Sequence, residues 1–219
     1  MKKIESPDYV FLKAKVQELA KGPADRIAVE SRLKKLALNG FPGKGIDLGE
    51  KITKRELILD RVQKRAEEYE QVGQNCAKGV PLAVMEEFGF GDIKMIKGIS
   101  AMPGVALTGE TCGAVLGGLF ALSIYFGSDD PLNYKANYTC IKNSRDFIDR
   151  FTKELGATKC RKIHENVIFG KFYETADREN GYPEFLVDNG FEKCGLPPGV
   201  SARIVAEIIF EDLENKQGA

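Results

Sequence analysis

A mainly α-helical fold is predicted for this chain, a multi-helix bundle with an N-terminal helical extension. Three observations predict it. Apolar residues recur at helical spacing over most of the 219 residues. Few runs alternate as strands do. Asn, Ser, Gly and Pro punctuate the chain at intervals that suit helices and their caps. An apolar content of 43% suffices for one large core.

In order, Tyr9–Lys21 reads as a first helix after Ser6-Pro7, closed by Gly22-Pro23. Ala24–Leu38 is a second, with Ile27, Leu33, Leu36 and Ala37 near one face and Asn39-Gly40 as its stop. The Gly- and Pro-rich stretch Phe41–Glu50 is a linker. Thr53-Lys54-Arg55-Glu56 has the form of a capping box. It opens a third helix to about Val72, with Leu57, Ile58, Val62, Ala66 and Tyr69 at 3.6-residue spacing. Asn75 caps the next helix, which carries Cys76, Val80, Ala83, Val84 and Phe88. Pro81 is tolerated if that helix starts near Val80. Ile93–Ile99 is a short helix and Ser100–Glu110 a loop. A helix from Cys112 runs to about Phe126. Lys135–Asn143 is a helix that precedes or merges with Ser144–Leu155, with Phe147, Ile148 and Phe151 toward the core. Cys160 opens a helix to about Ile168. Gly170–Glu192 is irregular and aromatic, Cys194–Gly199 is a turn, and Ser201 caps a last helix carrying Ile204, Val205, Ile208, Ile209 and Leu213. The expected division is an extension over 1–72 and a cysteine-containing domain over 73–219.

Charge is balanced, 32 basic against 32 acidic residues, which argues against nucleic acid as a partner. The start Met1-Lys2-Lys3-Ile-Glu-Ser-Pro-Asp has no apolar signal core. The longest apolar stretch, Ala114–Phe126, is too short to span a bilayer. The expected location is the cytoplasm, with no membrane partner and thiols kept reduced. His164 is the single histidine, so schemes needing two histidines are excluded. No Cys-x-x-Cys or Cys-x-x-Cys-His occurs, which argues against thioredoxin-like chemistry and covalent haem. No phosphate loop, nucleotide fingerprint or paired-carboxylate motif designates an organic substrate.

Cysteine chemistry is what the sequence does offer. Cys76, Cys112, Cys160 and Cys194 are separated by 36, 48 and 34 residues, as if each of several helices delivered one thiol to a shared place. Cys112 opens the glycine-spaced segment Thr111-Cys-Gly-Ala-Val-Leu-Gly-Gly118. A thiol at a helix N-terminus meets unpaired N–H groups and the positive end of the dipole, which favour thiolate. Four thiolates satisfy a [2Fe–2S] or [4Fe–4S] cluster or a zinc ion, and spacing alone does not choose among them. Gly109, Gly113 and Gly195 are expected to let backbone approach the sulfurs, and Gly117 and Gly118 to let helices approach each other.

At Asn75-Cys76-Ala77, Gly109-Glu-Thr-Cys112-Gly-Ala-Val-Leu-Gly117, Cys160 and Cys194 the chain resembles the C_GCAxxG_C_C family, which is described as redox-active. The resemblance spans about residues 73–213. It implies a small helical redox protein. A related domain in split-Soret cytochromes carries a [2Fe–2S] cluster, so the resemblance implies Cys76, Cys112, Cys160 and Cys194 as ligands of an iron–sulfur cluster, [2Fe–2S] first and zinc second. The haem-binding part of those cytochromes has no counterpart here, and residues 1–70 lie outside the match.

The function expected is redox or electron transfer through such a cluster, with a redox protein as partner. The alternatives are a metal-free thiol–disulfide oxidoreductase or redox sensor with Cys112 as nucleophile, and a zinc-stabilised interaction module. A homodimer through apolar helix faces is compatible with the pattern. Four other features have a functional and a plain reading. His164, four residues after Cys160, is a ligand, a proton carrier or an ordinary polar residue. Glu110 orients or caps near Cys112, or simply favours the helix start. Cys140 is a resolving thiol or a small buried apolar residue. The aromatic group Phe172, Tyr173, Tyr182, Phe185 and Phe191 lines a cofactor cavity or anchors a loop.

Overall fold

The computed structural model describes residues 7–43 and 53–217. They are helical, and no strand occurs among them; one isolated antiparallel bridge joins Thr111 to Lys159. The helices are α1 (Tyr9–Lys21), α2 (Arg26–Asn39), α3 (Arg55–Gly73), α4 (Cys76–Phe88), α5 (Gly113–Phe126), α6 (Tyr134–Leu155), α7 (Cys160–Ile163), α8 (Gly181–Val187), α9 (Gly190–Lys193) and α10 (Leu196–Gln217). A 3₁₀ turn covers Ile93–Ile99, and α7 continues into a π-helical turn at His164–Ile168. No helix among the described residues is long and apolar enough to cross a membrane.

Helices α3, α4, α5 and α10 form the centre, and α6 packs on α5 and α10. α5 is apolar but for the exposed Ser123, and it buries Gly113, Ala114, Val115, Gly117, Gly118, Ala121 and Leu122. A helix so apolar is stable only when most of its surface is covered by neighbours. α10 buries Ile204, Val205, Ala206, Ile208, Ile209 and Phe210 in succession. α3 supplies Ile58, Leu59, Val62, Ala66 and Tyr69 to the same core. The suggested boundary at 72/73 therefore falls at the end of a helix that packs directly on α4 and α10. Ion pairs between helices sit on the flanks: Arg150 of α6 is bidentate to Glu211 of α10 at 2.7 and 2.8 Å.

Several local expectations change. Lys54, not Thr53, is the N-cap of α3. Ile27 and Leu57 are exposed, because α2 rests on α3 through a narrow stripe that buries Val29 and Leu36. The linker Phe41–Glu50 lies from residue 44 onward outside the described residues. α4 begins at Cys76, under an Asn75 cap whose Oδ1 accepts from Lys78 N–H, so Pro81 sits inside the helix. Proline cannot donate to the carbonyl four residues back. That carbonyl, Ala77 C=O, is where α5 crosses: a Cβ on Gly117 would stand 2.3 Å from its oxygen. Lys135–Asn143 and Ser144–Leu155 are one helix, α6. The 170–192 stretch contains α8 and α9. The last helix starts at Leu196, and Pro197 and Pro198 fall in its first turn, where missing N–H groups cost nothing. Ser201 is thus inside α10 and not its cap; it is fully buried and donates to Ala114 C=O at 2.7 Å.

Candidate functional site

Three of the four cysteines stand at the beginning of a helix, and Cys194 is the C-cap of α9 just ahead of α10. Cys76 is the first residue of α4, Cys112 the N-cap of α5, Cys160 the first residue of α7, and Cys194 lies two residues before α10. Three local devices bring these starts together. Gly113 lets α5 close on α4: a Cβ there would sit 2.4 Å from Cys76 Sγ and 3.1 Å from Ala77 N. The 111–159 bridge ties the second cysteine to the third, with Cys112 N–H donating to Thr158 C=O at 2.8 Å and Cys160 N–H to Glu110 C=O at 2.6 Å. Gly199 lets the first turn of α10 rest on Glu67 of α3, where a Cβ would be 2.5 Å from Oε1.

The result is a cavity of about 160 Å³ bordered by Cys76, Cys160, Cys194, His164 and Glu70, with Phe172, Tyr182, Phe185 and Phe191 around it. Cys112 is buried beside it and hydrogen-bonded to Cys76. The thiols fall into two pairs. Cys76 donates to Cys112, which raises the Cys76 pKa and lowers that of Cys112; the N–H groups of Ala114 and Val115 lower Cys112 further. Cys160 and Cys194 share His164, whose Nε2 lies 3.7 Å and 3.5 Å from their sulfurs. Burial pushes both of these thiols well above their ordinary range. All five cysteines of the chain are free.

Two further groups belong to the site. Glu70 is buried at the end of α3, its carboxyl pushed up to about 8 by desolvation, and its Oε2 has no hydrogen-bond partner. His164 is held down to about 4, by burial first and by the Arg161 charge second. Glu70 went unread in the sequence although a signal existed: it continues the buried row Val62, Ala66, Glu70 at intervals of four.

Other expected residues are placed as follows. Glu110 is exposed and paired with Lys159 at 3.0 Å, so it does not cap α5. Gly109 faces the Phe172 ring and Gly195 faces Glu67 and the Glu192 carbonyl, so of the three glycines assigned to the sulfurs only Gly113 meets one. Gly104 supplies the other close approach, 3.4 Å from Cys160 Sγ to its would-be Cβ. Gly117 and Gly118 do serve helix contacts, against Ala77 C=O and the Phe147 ring. Of the aromatic group, four border the cavity, while Tyr173 is buried beside it and donates to Asp188. Cys140 lies apart, two turns into α6, with Sγ 3.7 Å from Ser123 Oγ.

Four cysteines are the donor type that both iron–sulfur clusters and zinc take. Among the described residues no three His, Cys, Asp or Glu side chains are drawn together as a ready single-ion site. Two pairs of thiols, each pair serving one iron, are what a two-iron cluster requires. Three thiols at helix starts would place positive dipole ends beside the net negative charge of such a centre. Without a cation, three of the four thiols are held protonated by their surroundings.

The family model described as "Putative redox-active protein (C_GCAxxG_C_C)" matches residues 74–208, well over half the chain and inclusive of all four cysteines. No curated protein and no solved structure matches. On the extent of that match, the chain belongs to the C_GCAxxG_C_C family of redox-active proteins.

Proposed function

We propose that this protein is a redox or electron-transfer protein that binds an iron–sulfur cluster, [2Fe–2S] in type, through Cys76, Cys112, Cys160 and Cys194. One observation carries the reading: three thiols remote in sequence border one cavity and the fourth, Cys112, is buried beside it against Cys76. When bound, the cluster supplies one-electron chemistry. The chain's own residues do the rest. The four cysteines would hold it as thiolates, which coordination makes possible where the hydrogen bond to Cys112 raises the Cys76 pKa and burial raises those of Cys160 and Cys194. The helix N-termini offset the negative charge, and Phe172, Phe185 and Phe191 restrict water. Oxygen-free purification or reconstitution should give a coloured protein with about two irons and two sulfides per chain, bleached by dithionite. A colourless product without iron after reconstitution, or one holding zinc alone, would overturn the reading.

The hydrogen-bonded Cys76–Cys112 pair supports a second reading, metal-free thiol–disulfide exchange. Cys112 thiolate would attack a substrate disulfide and release one thiol. Cys76 would then displace the mixed disulfide, leaving a Cys76–Cys112 disulfide and a fully reduced substrate. Mass mapping after mild oxidation tests it: a Cys76–Cys112 disulfide supports the exchange, and its absence rejects it.

A further inference from the structure

His164 is enclosed by rings. Phe169 meets it edge-on at 4.9 Å between centroids, Phe172 lies at 5.4 Å and Phe185 stacks at 6.4 Å with 13° between planes. The π-helical turn fixes its backbone, since the N–H groups of both Phe169 and Gly170 donate to His164 C=O. In this box only one ring nitrogen has partners: Nε2 faces the sulfurs of Cys194 and Cys160 at 3.5 and 3.7 Å. Nδ1 is buried with no partner. A neutral imidazole carries one N–H and one lone pair. Burying an N–H without an acceptor is the rarer and costlier choice; an unfilled lone pair is better tolerated. Nδ1 therefore takes the lone pair, and the proton goes to Nε2, between the two sulfurs.

We propose that His164 is a positioning residue of the redox centre: a ring whose Nε2–H is shared between Cys160 and Cys194 and stabilises negative charge on their sulfurs. The effect on potential rests on the cluster reading above; the hydrogen bond itself does not. Donors to ligand sulfurs raise a cluster's reduction potential because the added electron increases the charge on sulfur. The donor serves only one of the two thiol pairs, so the two halves of the site are electrostatically unequal. His164 in this role is not a ligand.

Because the chain has a single histidine, ¹⁵N labelling of histidine gives one ring in the spectrum of the full-length, metal-free protein. The expected result is a ring with its proton on Nε2; a proton on Nδ1 alone overturns the assignment. In reconstituted protein, His164→Phe keeps an aromatic ring in the box and removes the donor. It should lower the reduction potential by about tenfold in the electron-transfer equilibrium, equivalent to about 59 mV for a one-electron couple. His164→Gln, which restores a donor, should fall between it and wild type. A His164→Phe value within about twofold of wild type overturns the effect on the sulfurs. If no cluster is taken up while the proton is found on Nε2, the cluster reading fails and the hydrogen bond stands.

Discussion

Two hollows in this molecule each border on cysteine, and they differ in almost every other respect. The cavity between the starts of α4, α5, α7 and α10 measures about 160 Å³ and is bordered by three thiols, a histidine and a carboxyl group, with the fourth thiol buried beside it. The open groove under the first half of α6 measures about 1280 Å³ and is bordered by Cys140, Phe90, Tyr125, Asp129 and Lys216 among others. The larger hollow has little convergent chemistry. Cys140 is two turns inside α6, and its neighbour is a serine hydroxyl. The smaller one has three thiols at helix starts, the fourth two residues ahead of α10, and glycine where backbone must come close. What separates them is the placement of donors against helix ends.

The strongest way to break this comparison is to replace cysteines singly. Cys76→Ser, Cys112→Ser, Cys160→Ser and Cys194→Ser should each lower iron retention by at least about tenfold, since loss of even outer-shell partners costs that much. Cys140→Ser should retain iron and sulfide at the wild-type level. Iron and sulfide assays on oxygen-free reconstituted proteins read both arms. Equal loss from Cys140→Ser would erase the distinction between the two hollows.

Glycines sharpen the same contrast through stability. At Gly117 an added methyl would sit 2.3 Å from Ala77 C=O, backbone that cannot yield without parting α4 from α5. Gly117→Ala should cost about 3 kcal/mol, at the upper end for overpacking, or roughly 6–12 °C in Tm. Gly98, exposed in the 3₁₀ turn, has nothing within 4 Å of its would-be Cβ, and Gly98→Ala should stay within about 0.5 kcal/mol. Urea melts compare them directly.

Much of the bundle was legible because caps and periodicity act locally. Asn75 announced α4, and Phe147 and Phe151 marked the buried side of α6. The errors arose where a local signal has two meanings. Pro197-Pro198 reads as a turn, yet prolines are equally suited to a first helical turn, so α10 began five residues before Ser201. The aromatic stretch 170–192 looked irregular because α8 and α9 are one or two turns long, too short to show a period. Ile27 and Leu57 fit a helical face, but how wide a stripe is covered depends on how many helices pack there. In the site, the cysteine positions were readable from a motif, and Glu70 from its row on α3. The left-handed turn at 104–107 had no readable cause: Val, Ala and Leu disfavour it, and only Gly104 and Gly109 at its flanks hint at it.

A carboxylate on each side gives a pH test. Glu67 of α3 faces the first turn of α10 near Cys194; burial, opposed by a hydrogen bond from Gln63 at 3.2 Å, pushes it up to about 7 from 4.5. Its folded pKa is raised, so the stability it allows is full below about pH 4.5 and declines as pH rises through 7. Glu211, on the α6 flank, is lowered by its Arg150 partner and has the opposite sign: its contribution is present above the ordinary carboxylate range and is lost on acidification. Between pH 4.5 and 7.5 wild type should lose about 2 kcal/mol relative to Glu67→Gln. Urea midpoints across that range measure it. Parallel curves for the two proteins would mean that Glu67 is not penalised by burial.

The smallest effect concerns the backbone beside the cavity. Gly104, Val105, Ala106 and Leu107 have φ of 50, 51, 57 and 66°, a left-handed turn next to Cys160. Left-handed geometry costs roughly 1–2 kcal/mol for a residue with a side chain, and a β-branched valine is poorly suited to it. Val105 is 41% exposed, so little packing is lost on truncation. Glycine relieves the local cost but adds freedom to the unfolded chain. The net expectation for Val105→Gly is a gain of about 0.5–1 kcal/mol. The matching change on the other side is Lys142→Gly, on the exposed surface of α6, where right-handed helix prevails. It should lose about 0.7–1 kcal/mol. Opposite signs for the same substituent, read from urea midpoints at constant m, require the 104–107 backbone to be left-handed in solution. Loss of stability in both proteins would show that it is not.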